Sequence, residues 1–206
     1  SNLQQKIDNL KNLDVDFLII KKFYRKFSKI KSISFIKEIL GKKLKPKFIF
    51  VSNNFRFGNK REGNVRQLIK FEKMCCYKVV KPQPLLTNKK IVSSSLVRIL
   101  LQKGKLEKAN KILNRNWSIV GKVQKGRQLG KKIGFPTANI DIKNYILACP
   151  GVYAVKVKWT DKNNYLKGIA NLGYRPTFNG KKILLEVHLF NFSGNLYNKY
   201  LTVEFK

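Results

Sequence analysis

A change of hydrophobic period near residue 115 constrains this chain more than any other feature. Before it, short apolar runs alternate with stretches of helical spacing; after it, apolar residues recur at strand period between turn residues. Alternating strands and helices predict a parallel sheet with helices on its faces. Several short strands in succession predict a small barrel or sandwich. We therefore expect two domains, residues 1–115 and 116–206. Of the 206 residues 43% are hydrophobic, enough to bury one large core or two modest ones.

Each element has a sequence reason. In the first half, Gln4 to Leu13 reads as helix and Phe17 to Ile20 as a short buried strand. Ile33 to Leu40 has helical spacing and closes at Gly41, a C-cap signal. Phe48 to Val51 reads as strand, Asn64 to Met74 as helix, and Tyr77 to Val80 as a strand ended by Pro82 and Pro84. Ser93 to Arg98 opens a helix that runs to Gly104; a serine hydroxyl can cap it by accepting from a free N–H of the first turn. A second helix covers Leu106 to Leu113. Strands are expected over Trp117–Gln124, Val152–Trp159, Leu166–Asn171, Ile183–Phe190 and Tyr200–Phe205, with turns at 161–164, 179–180 and 193–195.

Charge and cysteine narrow the class. Lys and Arg number 44 against 11 Asp and Glu, a net charge of +33. Such a balance points to nucleic acid or an anionic membrane. Yet the excess is mostly lysine, spread along the whole chain beside abundant Ile and Asn, the pattern of codon drift in an AT-rich genome. Drift is the preferred reading, with salt-dependent adhesion to polyanions as its by-product. Cys75, Cys76 and Cys149 are an odd number, and adjacent Cys75 and Cys76 are poor disulfide partners. With one histidine and no CxxC pair, zinc is disfavoured, and free thiols in a reducing cytoplasm are expected. No apolar run approaches the roughly 20 residues of a membrane-spanning helix. The chain starts at Ser1 within a helical pattern and stops at Lys206 within an apolar alternation, which reads as a fragment cut at both ends.

Two stretches could carry chemistry. In GKKIGFPTANI (130–140) and the residues before it, Gly126, Gly130 and Gly134 let backbone N–H groups approach an anion, and Lys131 and Lys132 add charge. The Thr137 hydroxyl and the Asn139 amide are oxygen donors that Mg²⁺ accepts beside phosphate oxygens. The Walker pattern is absent, so a phosphate cradle and a structural turn loop both fit. In ILLEVHLF (183–190), strand alternation puts Leu184, Glu186, His188 and Phe190 on one face. Glu186 is then expected partly buried, which raises a carboxylate pKa and suits a general base; a carboxylate paired to a lysine is the alternative. A lone strand histidine such as His188 reads as structural.

Together these stretches resemble a known family. GKKIGFPTANI, Gly151-Val-Tyr153, NLGYRPTF (171–178) and LEVHLFNFSG (185–194) are similar, in order and spacing, to the riboflavin kinase module. VSNNFRFG (51–58), Arg61-Glu-Gly63 and VSSSLVR (92–98) resemble the adenylyltransferase module of bacterial FAD synthetases. The resemblance implies an incomplete Rossmann-like α/β domain followed by a six-stranded all-β barrel. It implies phosphoryl transfer from ATP to riboflavin, giving FMN, and in the intact protein adenylylation of FMN to FAD. Glu186 would be the catalytic base, and Thr137 and Asn139 would hold Mg²⁺. ATP would meet Gly126, Gly130, Lys131, Gly134 and Pro136 in the barrel, and Ser93, Ser94 and Arg98 at the helix start. The flavin would meet Asn54, Phe55 and Arg56, and Gly151, Tyr153, Asn171 and Arg175.

Some features depart from the family pattern. The chain's one histidine is His188, so the family's HxGH motif is not in it, and this chain by itself is not expected to make FAD. The family's closing C-terminal helix is also beyond Lys206, which bears on riboflavin affinity. Lys131 stands where the family usually has Arg, and Asn191 and Asn195 where it favours Asp; lysine keeps the charge without the bidentate fork. The expected partners are small molecules, with no specific nucleic acid and no membrane. The alternatives are a basic nucleic-acid-binding β-barrel without enzymatic activity and a flavin-binding remnant without kinase activity. Against the first, Phe135, Phe178, Phe190 and Phe192 read as packing residues rather than a stacking platform.

Overall fold

The computed structural model describes residues 2–126, 134–142, 145–146, 148–159, 164–177 and 180–206, with the side chains of 175–177 and 180–182 left aside. In chain order, helix α1 (Leu3–Lys11) is followed by short helices α2 (Arg25–Ser28) and α3 (Ser32–Ser34) and a π-wound helix over Phe35–Leu44. Strands β1 (Phe48–Phe50), β2 (Arg56–Phe57) and β3 (Gly63–Asn64), helices α4 (Val65–Lys70) and α5 (Glu72–Cys75), and β4 (Lys78–Val80) come next. Strands β5 (Leu86–Thr87) and β6 (Lys90–Ile91) precede helices α6 (Ser94–Gln102) and α7 (Leu106–Leu113). The rest is strand: β7 (Ser118–Gln124), β8 (Ala138–Asp141), β9 (Gly151–Trp159), β10 (Leu166–Thr177), β11 (Gly180–Leu189) and β12 (Tyr200–Phe205).

The chain forms two compact units, residues 19–86, and residues 1–18 together with 87–206. In the first, β1 and β4 pair in parallel, Ile49 opposite Val79. Ile36, Phe57, Leu68 and Tyr77 make its small core. The Tyr77 hydroxyl donates to the Leu68 carbonyl at 2.8 Å, and burial, with Cys75 and Glu72 beside it, raises its pKa to about 12. Asn64 caps α4 by accepting from the Gln67 N–H at 3.0 Å.

In the second unit, β7 to β12 close a six-stranded antiparallel barrel in the order β10-β11-β8-β7-β12-β9. Closure leaves the six strands without a free edge. Alternate residues fill the interior: Ile119, Ile140, Val157, Leu185, Leu201, Val203 and Phe205 are fully enclosed. Trp117 packs on Phe205 with ring centroids 4.6 Å apart. Helices α6 and α7 belong to this same core through Leu101, Leu106 and Ala109. Ser93 caps α6, its hydroxyl accepting from the Leu96 N–H at 3.2 Å. Helix α1 is tied to the barrel by Gln5, whose amide donates to the Ser118 carbonyl at 3.1 Å and accepts from the Tyr145 hydroxyl at 2.7 Å.

Four local expectations change. Phe17–Ile20 is neither a ladder strand nor buried; Phe17 is 89% exposed. Without a partner strand among the described residues, an apolar run has neither ladder bonds nor a face to bury. The helix from Phe35 passes through Gly41 and ends after Leu44, with Lys45 in the left-handed region. Gly41 instead permits close packing, since a Cβ there would lie 3.0 Å from the Cys75 sulfur. The helix expected over Asn64–Met74 breaks at Phe71 into α4 and α5. Strand β8 was not expected at all, because Phe135, Pro136 and Thr137 obscure the four residues that follow.

Candidate active site

Register places the candidate residues before any side-chain detail is needed. Asn139 on β8 lies opposite Glu186 on β11, and Glu186 lies opposite Asn171 on β10. Directly opposed residues of antiparallel strands share a face. Asn139, Glu186 and Asn171 therefore form one row across three strands. Their neighbours Ile140, Leu185, Val187 and Leu172 fill the core, so the row faces out of the barrel. Asn139 is buried nonetheless, Glu186 is half-buried and Asn171 is exposed.

Gly126 explains how Asn139 is covered. A Cβ on Gly126 would sit 2.4 Å from the Asn139 amide nitrogen, so only glycine lets the backbone lie on that amide. The amide donates to the Thr137 carbonyl at 3.4 Å. Gly134, at φ +81, takes a left-handed turn that a side chain would strain. The exposed Pro136 and Thr137 follow it into β8.

Thr137 stands at the rim between the outward row and a cavity of about 560 Å³ in the barrel mouth. That size suits a small-molecule ligand. Inward residues Val123, Ala138, Val187 and Leu189 form its floor, and Phe192, Ser193, Gly194, Asn195, Leu196 and Tyr197 one wall. By pattern 193–195 is a turn, and it falls at the end of the LEVHLFNFSG resemblance; its place as a cavity wall was not expected, because a wall built by a loop leaves no periodic signal. Phe192 packs edge-on against Trp159 with centroids 5.5 Å apart, as expected of a packing residue. Phe135 and Phe190 do not follow that expectation: they are 60% and 43% exposed and stand edge-on to the His188 ring at 5.5 and 5.8 Å. The β11 alternation that buries Leu185, Val187 and Leu189 turns Phe190 outward.

The donor set fits a hard divalent cation. It offers a hydroxyl at Thr137, an amide at Asn139 and a carboxylate one strand away, and Mg²⁺ takes few protein oxygens when phosphates supply the rest. Among the described residues no group of three or more His, Cys, Asp or Glu could cage a metal. Gly130, Lys131, Phe178 and the Arg175 side chain lie outside the described residues.

The other candidates lie elsewhere. Gly151 opens β9, and Tyr153 turns toward the core, its ring edge-on to Phe205 at 5.4 Å. The Tyr153 hydroxyl donates to the Cys149 carbonyl, and burial, then Cys149, raises its pKa. Ser93, Ser94 and Arg98 are exposed at the start of α6, where free N–H groups and the helix dipole favour an anion. Asn54, Phe55 and Arg56 are exposed in the other unit; Phe55 stacks on buried Phe57 at 5.7 Å, and the Ser52 hydroxyl donates to the Asn54 side-chain oxygen Oδ1 at 2.9 Å. Cys75, Cys76 and Cys149 are free thiols. Among the described residues no helix is long and apolar enough to cross a membrane.

Comparison with known proteins gives these features a context. Residues 113–206 match the family model for riboflavin kinase, and residues 1–96 that for FAD synthetase. A bifunctional riboflavin kinase/FMN adenylyltransferase of Buchnera aphidicola subsp. Schizaphis graminum is 41% identical over 206 residues, covering 98% of this chain and 66% of the relative. The enzyme of that name from Escherichia coli is 34% identical, covering 98% of this chain and 64% of its own length. That from Bacillus subtilis is 33% identical with the same coverage, 98% and 64%. The chain thus spans just under two thirds of these relatives. A solved structure described as a macrolide-efflux protein from Streptococcus pneumoniae superposes with a TM-score of 0.83 at 25% identity, covering 99% of this chain and 65% of that one. Two successive family matches, and relatives that align with nearly all of it, mean that this chain belongs to the bifunctional riboflavin kinase/FMN adenylyltransferase family.

Proposed function

We propose that the barrel phosphorylates riboflavin with ATP to give FMN, acting at the Asn139–Glu186–Asn171 row and the cavity rim beside Thr137. The observation that carries this reading is the row itself, an amide, a carboxylate and a second amide in register, the first two on strands β8 and β11 that also line the cavity. Phosphoryl transfer asks chiefly for positioning and charge stabilisation. Glu186, half-buried, takes the proton of the flavin's ribityl 5′-hydroxyl as that oxygen attacks the γ-phosphorus of ATP, whose bond to the β–γ bridging oxygen breaks to release ADP. Asn139, pinned under Gly126, and Thr137 would hold Mg²⁺, which would neutralise phosphate charge. Gly126 and Gly134 contribute to the ATP site, and Asn171 to the flavin site.

The same reading extends to the longer protein. There, residues 1–115 contribute to an adenylyltransferase module that joins FMN and ATP into FAD and pyrophosphate, and residues 116–206 form the kinase. Ser93, Ser94 and Arg98 meet ATP phosphates, and Asn54, Phe55 and Arg56 lie by the flavin. The protein works in the cytoplasm on small molecules, without a specific nucleic-acid or membrane partner.

The test is to incubate the purified chain with riboflavin and Mg-ATP, separate the flavins by chromatography and read their fluorescence. FMN without FAD is expected. No FMN, either from this chain or from one extended beyond Lys206, would refute the kinase reading.

A further inference from the structure

His188 is the one histidine of the chain, and the reaction as described does not use it. It lies on the outward face of β11, two residues beyond Glu186. Its Nδ1 is 3.0 Å from the Pro136 carbonyl oxygen, within ordinary N–H···O range. That contact occupies a particular place in the fold. The β8–β11 ladder ends at the pair Ala138–Val187. The next residues outward are Thr137 and His188, and before Thr137 stands a proline, which has no N–H to extend a ladder. The imidazole bonds the strands one step past the point where their backbones stop pairing. Phe135 and Phe190 stand edge-on to the ring, at 68° and 72° between planes, an arrangement aromatic rings favour.

We propose that His188 is a positioning residue, a latch that holds the Gly134–Thr137 segment on β11 and so places Thr137 and Asn139 for the nucleotide phosphates. This rests on the kinase reading. The latch sets the tautomer: a carbonyl only accepts, so Nδ1 carries the proton and the neutral ring is bare at Nε2. It also predicts which partner suffers when it is cut. Thr137 adjoins the latched carbonyl, whereas Asn171 is two strands away, so Mg-ATP binding should weaken and riboflavin binding should not.

Two substitutions separate a latch from a merely structural ring. An asparagine amide nitrogen falls near the position of Nδ1, and a glutamine amide nitrogen near that of Nε2. H188Q removes the donor from the Pro136 carbonyl, and H188N keeps it. A hydrogen bond of ordinary strength corresponds to roughly a three- to tenfold change, so H188Q should raise the KM for Mg-ATP by that factor. Its KM for riboflavin and its kcat should stay near wild type, and H188N should resemble wild type throughout. Nitrogen-15 imidazole spectra of the wild-type chain, free of assignment ambiguity with a single histidine, should show the neutral ring protonated at Nδ1. A ring protonated at Nε2 would overturn the latch, as would H188Q matching wild type or H188N failing equally. If neither this chain nor one extended beyond Lys206 makes FMN, the kinase reading fails, and the imidazole spectrum alone decides whether the latch exists.

Discussion

Replacing Gly126 by alanine would put a methyl carbon 2.4 Å from the Asn139 amide nitrogen, 2.7 Å from its carbonyl carbon and 2.9 Å from its oxygen. The shortest of these is about 1 Å inside the roughly 3.5 Å at which non-bonded heavy atoms rest. All three atoms belong to the end of one side chain, so the backbone can stay and the amide must move. Moving it forfeits the 3.4 Å bond to the Thr137 carbonyl. The stability loss should be small, about 1 kcal/mol. The functional loss should be larger, because a 1 Å displacement of a positioning group costs about a hundredfold. We predict that Gly126→Ala lowers kcat/KM for Mg-ATP in FMN formation by about that factor. The assay is initial-rate flavin chromatography at varied Mg-ATP, with urea unfolding run in parallel. Wild-type turnover in the variant would refute the assignment of Asn139. Lost turnover together with a stability loss above about 3 kcal/mol, the usual range of overpacking, would show a folding defect instead.

The remaining predictions address other parts of the chain. Glu186→Gln should abolish FMN formation while the unfolding midpoint holds; substantial turnover would remove Glu186 from the role of base. Gly168→Ala should unfold the barrel more readily by about 1–3 kcal/mol or more, because its Cβ would meet the His188 backbone oxygen at 2.3 Å, and neither strand can yield; an unchanged urea midpoint would count against the β10–β11 register. Ser93→Ala should cost about 1 kcal/mol through the lost cap, read from the same urea curves. Tyr77 is held protonated to about pH 12 by burial, with Cys75 and Glu72 adding to it, whereas an unfolded tyrosine ionises near 10. Above pH 10 the folded state thus keeps a proton that the unfolded state releases, and stability falls as pH rises. The advantage of wild type over Tyr77→Phe should be full below pH 10 and shrink toward pH 12; a constant difference would contradict it.

The barrel was legible because its strands alternate cleanly. Val155, Val157 and Trp159 inside β9, and Leu201, Val203 and Phe205 inside β12, repeat at the strand period. Helix α7 and its bounds follow from the same logic at helical spacing. Strand β8 was not legible, since four residues after a Phe-Pro-Thr step hold too few periods to read. Phe17–Ile20 looked like a buried strand because composition reports what a segment prefers and not whether a partner is there to pair with. At the site, alternation along β11 put Glu186 and His188 on one face, but the opposition of Asn139 and Asn171 to Glu186 needed the register. The Pro136–His188 bond spans 52 residues and leaves no local trace.

The seam at α6 and α7 has a practical side. The riboflavin kinase match begins at residue 113, the last residue of α7, yet Leu101, Leu106 and Ala109 share the barrel's core. A chain begun at residue 113 would carry every strand of the barrel and still lose part of its interior, exposing apolar surface to its neighbours in solution. Kinship and packing place the edge of the riboflavin kinase module differently, and anyone trimming this protein for expression or crystallisation should keep α6 and α7, and α1 with its Gln5 tie to Ser118 and Tyr145, on the barrel.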